Sequence, residues 1–293
     1  VNDFSLYDHV LDAVALVGAV PPRYGWTGPA VDLDTYFAMA RGRSGPGAAR
    51  PLEMTKWFDT NYHYLVPEFW RGQQFRLASE KPFAELAEAR AMGVPAKPVL
   101  LGPVSFLLLG KSTDERLDPL DLLEALLAVY EEVIARLAAG GAEWIQLDEP
   151  MLCQDRTPRE LAALERAYAR LASAKGNAKL LVQTAYGHVG EAYPALAGLP
   201  VDGIGLDFVR GREQLDLLRR HGFPAEKWLC AGVVDGRNVW VSDLAAALEL
   251  LGQIQQYVSP ERLMISASCS LLHVPYDVRL EDELDSVIRS WLA

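Results

Sequence analysis

The groups able to do chemistry in this chain gather where short apolar runs end. The clearest case is Glu143-Trp-Ile-Gln-Leu-Asp-Glu-Pro150, in which a buried-strand pattern, Trp144 to Leu147, runs into two carboxylates and a proline. Pro150 cannot donate to a sheet ladder and biases Glu149 towards extended backbone, so the strand stops there. Polar ends recur at Pro103-Val-Ser-Phe106, Thr184-Ala-Tyr-Gly-His188, Asp207-Phe208, Asp235-Gly-Arg-Asn-Val-Trp240 and Ser268-Cys-Ser-Leu-Leu-His273. General acid–base work would pair Asp148 with a second acid such as Asp207. The competing role for such acids is to anchor loops by accepting backbone N–H groups, and it is the stronger reading here.

A metal site is the next chemistry to weigh. Cys269 and His273 stand four residues apart, with Asp148, Glu149 and His188 as possible companions. A catalytic zinc needs three protein ligands in tetrahedral geometry. No Cys-x-x-Cys, His-x-Cys or His-Glu-x-x-His spacing occurs, so Cys269 reads as a small buried residue. Nothing in the sequence gives it the cationic neighbour that a nucleophilic thiol requires. The densest aromatic run, Glu53-Met-Thr-Lys-Trp-Phe-Asp-Thr-Asn-Tyr-His-Tyr-Leu-Val-Pro-Glu-Phe69, holds no period for long and reads as a packed functional loop. Its aromatics suit a plug, whereas Lys56 and His63 are equally suited to binding. The glycine-rich Arg41 to Arg50 lacks both a phosphate-loop lysine and a preceding strand, and reads as a mobile loop rather than a nucleotide site.

The elements that must position these groups alternate. Val1-Asn2-Asp3 reads as a frayed end, followed by helices around Leu6 to Val17 and Leu33 to Arg41. From Phe83 the order becomes regular: helix to Ala91, strand Ala96 to Leu101, helix Leu120 to Ala138, the acidic strand, then a helix to Ala174. That last helix opens with a capping box, Thr157-Pro-Arg-Glu160. Strands at Lys179 to Thr184, Gly203 to Phe208, Trp228 to Val233 and Leu263 to Ala267 follow, separated by helices, with a closing helix over Glu281 to Trp291. This makes six β/α repeats with continuous apolar strands, the mark of a parallel sheet buried on both faces. No G-x-G-x-x-G follows a strand, so a dinucleotide fold is disfavoured. The expected fold class is α/β, a TIM-type (β/α)8 barrel forming one domain over residues 1–293. Six repeats and no clean strand before residue 95 lead us to expect that its first β/α pieces lie before Val1.

Composition narrows the function classes. The 28 basic and 39 acidic residues give a net charge of −11, which argues against a nucleic-acid surface. Three widely spaced cysteines favour a reduced, cytoplasmic setting over a disulfide framework. No apolar run reaches the length of a membrane span, and no basic-then-apolar leader opens the sequence.

Six segments carry a resemblance. Asp3-Phe-Ser-Leu-Tyr-Asp-His-Val-Leu11, Glu53 to Tyr64, Pro98-Val-Leu-Leu-Gly-Pro103, Trp144 to Pro150, Gly236-Arg-Asn-Val-Trp240 and Ser268 to His273 together look like the amino-terminal half of cobalamin-independent methionine synthase. The likeness runs in unbroken order from Val1 to Ala293. It implies a methyltransferase of methionine biosynthesis that moves a methyl group from 5-methyltetrahydropteroyltriglutamate, a polyglutamylated folate, to homocysteine. The family fold is two face-to-face (β/α)8 barrels. Zinc sits in the carboxy-terminal barrel on a His-x-Cys pair, a glutamate and a further cysteine, and it activates the substrate thiol for attack on the folate methyl carbon.

The resemblance therefore implies no catalytic residue and no metal ligand in this chain. Thr184-Ala-Tyr-Gly187 lacks the His-x-Cys, and Cys269 looks like the relic of one zinc cysteine. The lysine of Met-Thr-Lys-Trp, here Lys56, is implied as a ligand of the folate polyglutamate tail. The expected share of this half is scaffold, a wall of the interdomain cleft and part of the tail site, with the carboxy-terminal barrel as partner. Two alternatives are a catalytically inert barrel that stabilises its partner domain, and an independent decarboxylase-type barrel using Asp148 or Asp207 with arginines. The absence of a basic cluster at the strand ends speaks against the latter.

One expectation concerns metal content. With a counterpart for one zinc ligand out of the implied set, the chain should purify without stoichiometric zinc. Elemental analysis showing one tightly held zinc per chain, lost in Cys269→Ser, would overturn this.

Overall fold

The structure, a computed structural model, describes residues 5–274 and 276–292, with His273 described by its backbone alone. The expected frayed end at Val1-Asn2-Asp3 and the side chain of His273 lie outside the described residues. Helix α1, His9–Leu16, is N-capped by Asp8, which accepts from the Leu11 N–H at 2.9 Å. Helix α2, Leu33–Arg41, is capped by Asp32. The glycine-rich segment after it folds back on itself through mutual Arg43–Ala49 backbone hydrogen bonds.

The aromatic run departs from its expected loop form. Strands β1, Met54–Lys56, and β2, His63–Leu65, pair as an antiparallel hairpin with Lys56 opposite His63. Buried Asp8 explains the pairing: its carboxylate also accepts from the Leu65 N–H and the Tyr62 hydroxyl, fastening β2 to the start of α1. That long-range contact is invisible to local periodicity. Strand β3, Glu68–Phe69, pairs further on with β5, Lys111–Ser112.

The main body alternates as expected. Helix α3, Lys81–Ala91, precedes β4, Val99–Leu101, and α4, Pro103–Leu109. Strand β4 starts later than the apolar run because Pro98 has no N–H for the ladder. After β5 come α5, Leu123–Ala139; β6, Trp144–Asp148; α6, Pro158–Ala174; β7, Lys179–Gln183; and α7, Tyr193–Gly198. The chain continues through β8, Gly203–Asp207; α8, Gln214–His221; β9, Trp228–Val234; α9, Leu244–Ile254; β10, Leu263–Ala267; and α10, Ser286–Arg289. The closing helix is far shorter than its pattern over Glu281 to Trp291. Leu280, Leu284, Val287, Ile288 and Trp291 all stay substantially exposed, so no packing offsets the cost of ordering a longer helix.

Strands β4, β6, β7, β8, β9 and β10 form one parallel sheet in that order. Its central strands β7 and β8 are buried on both faces, as sheets covered by crossover helices are. Among the described residues β4 and β10 do not pair with each other. The sheet nevertheless curls, because Val99 of β4 and Ser266 of β10 line one interior cavity of about 300 Å³. No described helix is long and apolar enough to cross a membrane.

The Thr157 capping box is present in both directions: Thr157 Oγ1 accepts from the Glu160 N–H, and Glu160 accepts from the Thr157 N–H. Loss of such a cap costs about 1 kcal/mol. Thr157→Ala should lower unfolding free energy by roughly that amount, and Thr157→Ser should lower it much less, as read by urea denaturation.

Candidate functional site

Parallel strands that leave a sheet in register bring their C-terminal ends to one rim. Asp148 and Glu149 end β6, Asp207 ends β8, Asp235 follows β9, and Cys269 follows β10. Glu149, Asp207, Asp235 and Cys269 therefore share one rim, but the four do different things.

Glu149 turns away from the interior. Fully buried, it accepts hydrogen bonds from the Ser105 N–H at 2.6 Å, the Val104 N–H at 3.3 Å and the Tyr168 hydroxyl at 3.0 Å. Its carboxyl occupies the space beside Gly102, where any Cβ would stand 2.2 Å from Glu149 Oε1. Burial pushes its pKa up to about 7, against the lowering effect of its hydrogen bonds. Asp207 is likewise spent on backbone: it accepts from the N–H groups of Tyr186, Val209 and Arg210 at 3.0, 2.9 and 2.8 Å. Asp235 accepts from the Arg237 N–H and the Asn238 amide, both at 2.8 Å. Loop anchoring is thus the role these three acids perform. A proton-transfer pair of Asp148 and Asp207 finds no support, because Asp207 is sequestered; Asp148 accepts from the Gln146 amide at 2.7 Å and faces the cavity.

Cys269 is buried, and its thiol is pushed up to about 12, first by burial and then by neighbouring Asp207. A thiol raised in this way is a poor nucleophile at neutral pH. Among the described residues no three His, Cys, Asp or Glu side chains converge as a metal set. All three cysteines are unpaired.

The interior cavity has wall groups from β4, β6, β7, β9 and β10, including Asp148, Gln183, Cys230 and Ser266, and Trp57 from the hairpin turn. Strand β8 offers room instead, since Gln183 lies where a side chain at Gly205 would stand. Trp57 is the plug the sequence suggested. It is buried, with edge contacts to His9 at 4.4 Å and to Tyr64 at 5.5 Å.

Lys56 lies outside this plug. It is exposed, borders an open cleft of about 460 Å³ shared with Asp59, Leu108, Met151, Cys153 and Tyr186, and makes no ion pair among the described residues. Its Nζ donates to the Thr60 carbonyl at 3.5 Å. His63, also exposed, faces it across the hairpin. An accessible cation at a cleft mouth is suited to a carboxylate or phosphate. Sequence reasoning placed Ser105 at a polar strand end without pairing it to Glu149, and missed Tyr168, because nothing local marks either as its partner.

A family model described as "Cobalamin-independent synthase, N-terminal domain" matches residues 1–259. The chain belongs to this family. Two curated relatives are named 5-methyltetrahydropteroyltriglutamate–homocysteine methyltransferase. The one from Chelativorans sp. (strain BNC1) is 52% identical over 304 residues, and that from Acidiphilium cryptum (strain JF-5) is 52% identical over 296. Each alignment covers 100% of this chain but 39% and 38% of the relative, so the chain spans about two-fifths of the length of the curated relatives it matches. In fold, the chain is similar to a B12-independent methionine synthase from Shewanella sp. W3-18-1, with TM-score 0.60, 18% identity and coverage of 76% of this chain and 69% of that one. It is also similar to a methyltransferase from Methanosarcina mazei, with TM-score 0.56, 13% identity and coverage of 91% and 90%. In this family member the rim acids Glu149, Asp207 and Asp235 hold loops in place, and Lys56 is an exposed cation on the hairpin.

Glu149 links this rim to pH. Its folded pKa near 7 exceeds the ordinary 4.5, so between those values the folded chain keeps a proton that the unfolded chain has released. That contribution is full below about 4.5 and is lost as pH rises through 7. Glu149→Gln cannot ionise. Its stability relative to the parent should therefore improve between pH 5 and pH 8, by on the order of 3 kcal/mol. Chemical denaturation at the two pH values checks this, and a constant difference would contradict the buried, proton-holding carboxyl.

Proposed function

We propose that this chain is the amino-terminal domain, residues 1–293, of a cobalamin-independent methionine synthase. The full enzyme transfers a methyl group from 5-methyltetrahydropteroyltriglutamate to homocysteine. The observation that carries this reading is the alignment of the entire chain, at 52% identity, with relatives bearing that name. On this reading the curled six-stranded sheet is the main parallel part of a (β/α)8 barrel. A cavity walled by both edge strands supports that view. The carboxy-terminal barrel is the partner, homocysteine and zinc belong to it, and the enzyme works in the cytoplasm.

Zinc does not fit the residues here: no three His, Cys, Asp or Glu side chains converge among the described residues, and Asp207 and Asp235 beside Cys269 are committed to backbone N–H groups. No catalytic step is routed through this half. Its contribution is scaffold, one wall of the interdomain cleft and recognition of the folate tail. Lys56 carries the last role: an exposed ammonium without an ion pair among the described residues, at a cleft mouth, meets the carboxylates of a γ-linked glutamate chain.

Lys56→Ala in the full-length enzyme should weaken triglutamyl methyltetrahydrofolate by several-fold, up to about tenfold, and leave homocysteine affinity unchanged. The loss should shrink as salt is raised. Titration with mono- and triglutamyl folates checks the assignment. Equal losses at both tail lengths would remove Lys56 from the site and favour an inert, stabilising barrel.

A further inference from the structure

Phe58 and Tyr186 are the two non-glycine residues with left-handed backbone among those described, with φ of 48° and 69°. They touch one another. Their rings stack, with centroids 4.9 Å apart and planes within 13°. Strain of this kind persists where surrounding contacts over-determine it, and here those contacts tie two distant loops to one turn. Trp57 Nε1 donates to the Tyr186 hydroxyl at 2.8 Å. The Arg237 guanidinium grips Asp59 twice, pairing with its carboxylate and donating to its carbonyl oxygen. Behind each contact stands a rim acid: Asp207 holds the Tyr186 N–H, and Asp235 holds the Arg237 N–H.

The turn so gripped, Trp57 to Thr60, directly follows Lys56 and supplies the Thr60 carbonyl on which the Lys56 ammonium rests. We propose that Tyr186 and Arg237 are positioning residues for Lys56, latching the hairpin tip to the strand-end rim so that the ammonium is presented at the cleft. This rests on the reading of Lys56 as a folate-tail ligand. Released from the latch, Phe58 can relax to ordinary backbone. The peptide planes between Trp57 and Thr60 then turn, and the carbonyl that seats the ammonium moves with them. The fork geometry of Arg237 matters, because its two terminal nitrogens reach the Asp59 carboxylate and carbonyl separately, whereas a lysine would have to serve both from a single nitrogen on a shorter side chain.

Two measurements test the latch. In this chain, amide hydrogen exchange over residues 54–65 should quicken about tenfold in Arg237→Gln, with the melting temperature nearly unchanged. In the full-length enzyme, Arg237→Gln should lose most of the triglutamate preference that Lys56→Ala loses, and the double variant should be no worse than Lys56→Ala. Arg237→Lys should recover part of it, and homocysteine affinity should hold throughout. Unchanged exchange would overturn the latch. If Lys56→Ala loses tail preference while Arg237→Gln keeps it, the positioning role is overturned and the tail site stands. If Lys56→Ala keeps wild-type preference, the tail site itself falls and the positioning role falls with it, while the exchange result still decides whether the hairpin is latched.

Discussion

One carboxyl group, that of Glu149, joins the parts on which the rim depends. From the end of β6 it reaches the first N–H groups of α4, which leave their helix without internal partners, and it also takes the hydroxyl of Tyr168 on α6. The neighbouring turn must be Gly102, because Glu149 fills the space a side chain would need. An unpartnered helix start at this depth would be costly, and so would a buried carboxyl without hydrogen-bond partners. Each solves the other's problem, and together they set the angle at which α4 leaves the sheet.

The same economy runs along the rim. Asp207 and Asp235 hold backbone N–H groups in the loops after β8 and β9, and burial keeps Cys269 protonated. A rim whose acids are committed in this way has rigid loops and little free acid–base capacity. It suits a surface that recognises, and the accessible Lys56 stands out against a chain of net charge −11. Anchoring also explains how strained residues survive there: the N–H of Tyr186 is held by an acid that cannot move without uncovering three donors.

The hairpin is the second organising feature. It inserts Trp57 as a plug over the interior cavity and leaves Lys56 outside, one residue away. Lys56 ends β1 and Trp57 opens the turn after it, so one short hairpin closes the cavity mouth and offers a cation to the cleft. Asp8 makes this possible by tying β2 to α1, although burial raises its pKa against the hydrogen bonds from Leu11, Tyr62 and Leu65.

The sequence by itself determined the repeating β/α order, the parallel sheet, the capping box at Thr157, the acidic strand end and the family, because each is written in contiguous residues. Apolar runs, prolines and glycines act locally, and the motifs from Glu53 to His273 lie in unbroken order. Only the tertiary structure decided that Glu53 to Phe69 is a hairpin, that Glu149 faces α4 rather than the cavity, and that Phe58 meets Tyr186. Those outcomes depend on partners brought together by folding: Asp8 for β2, Ser105 and Tyr168 for Glu149, Arg237 for Asp59. The closing helix shows the same division from the other side. Its apolar spacing was legible, but a helix forms at length only where that stripe finds a surface to bury it, and here most of the stripe remains exposed.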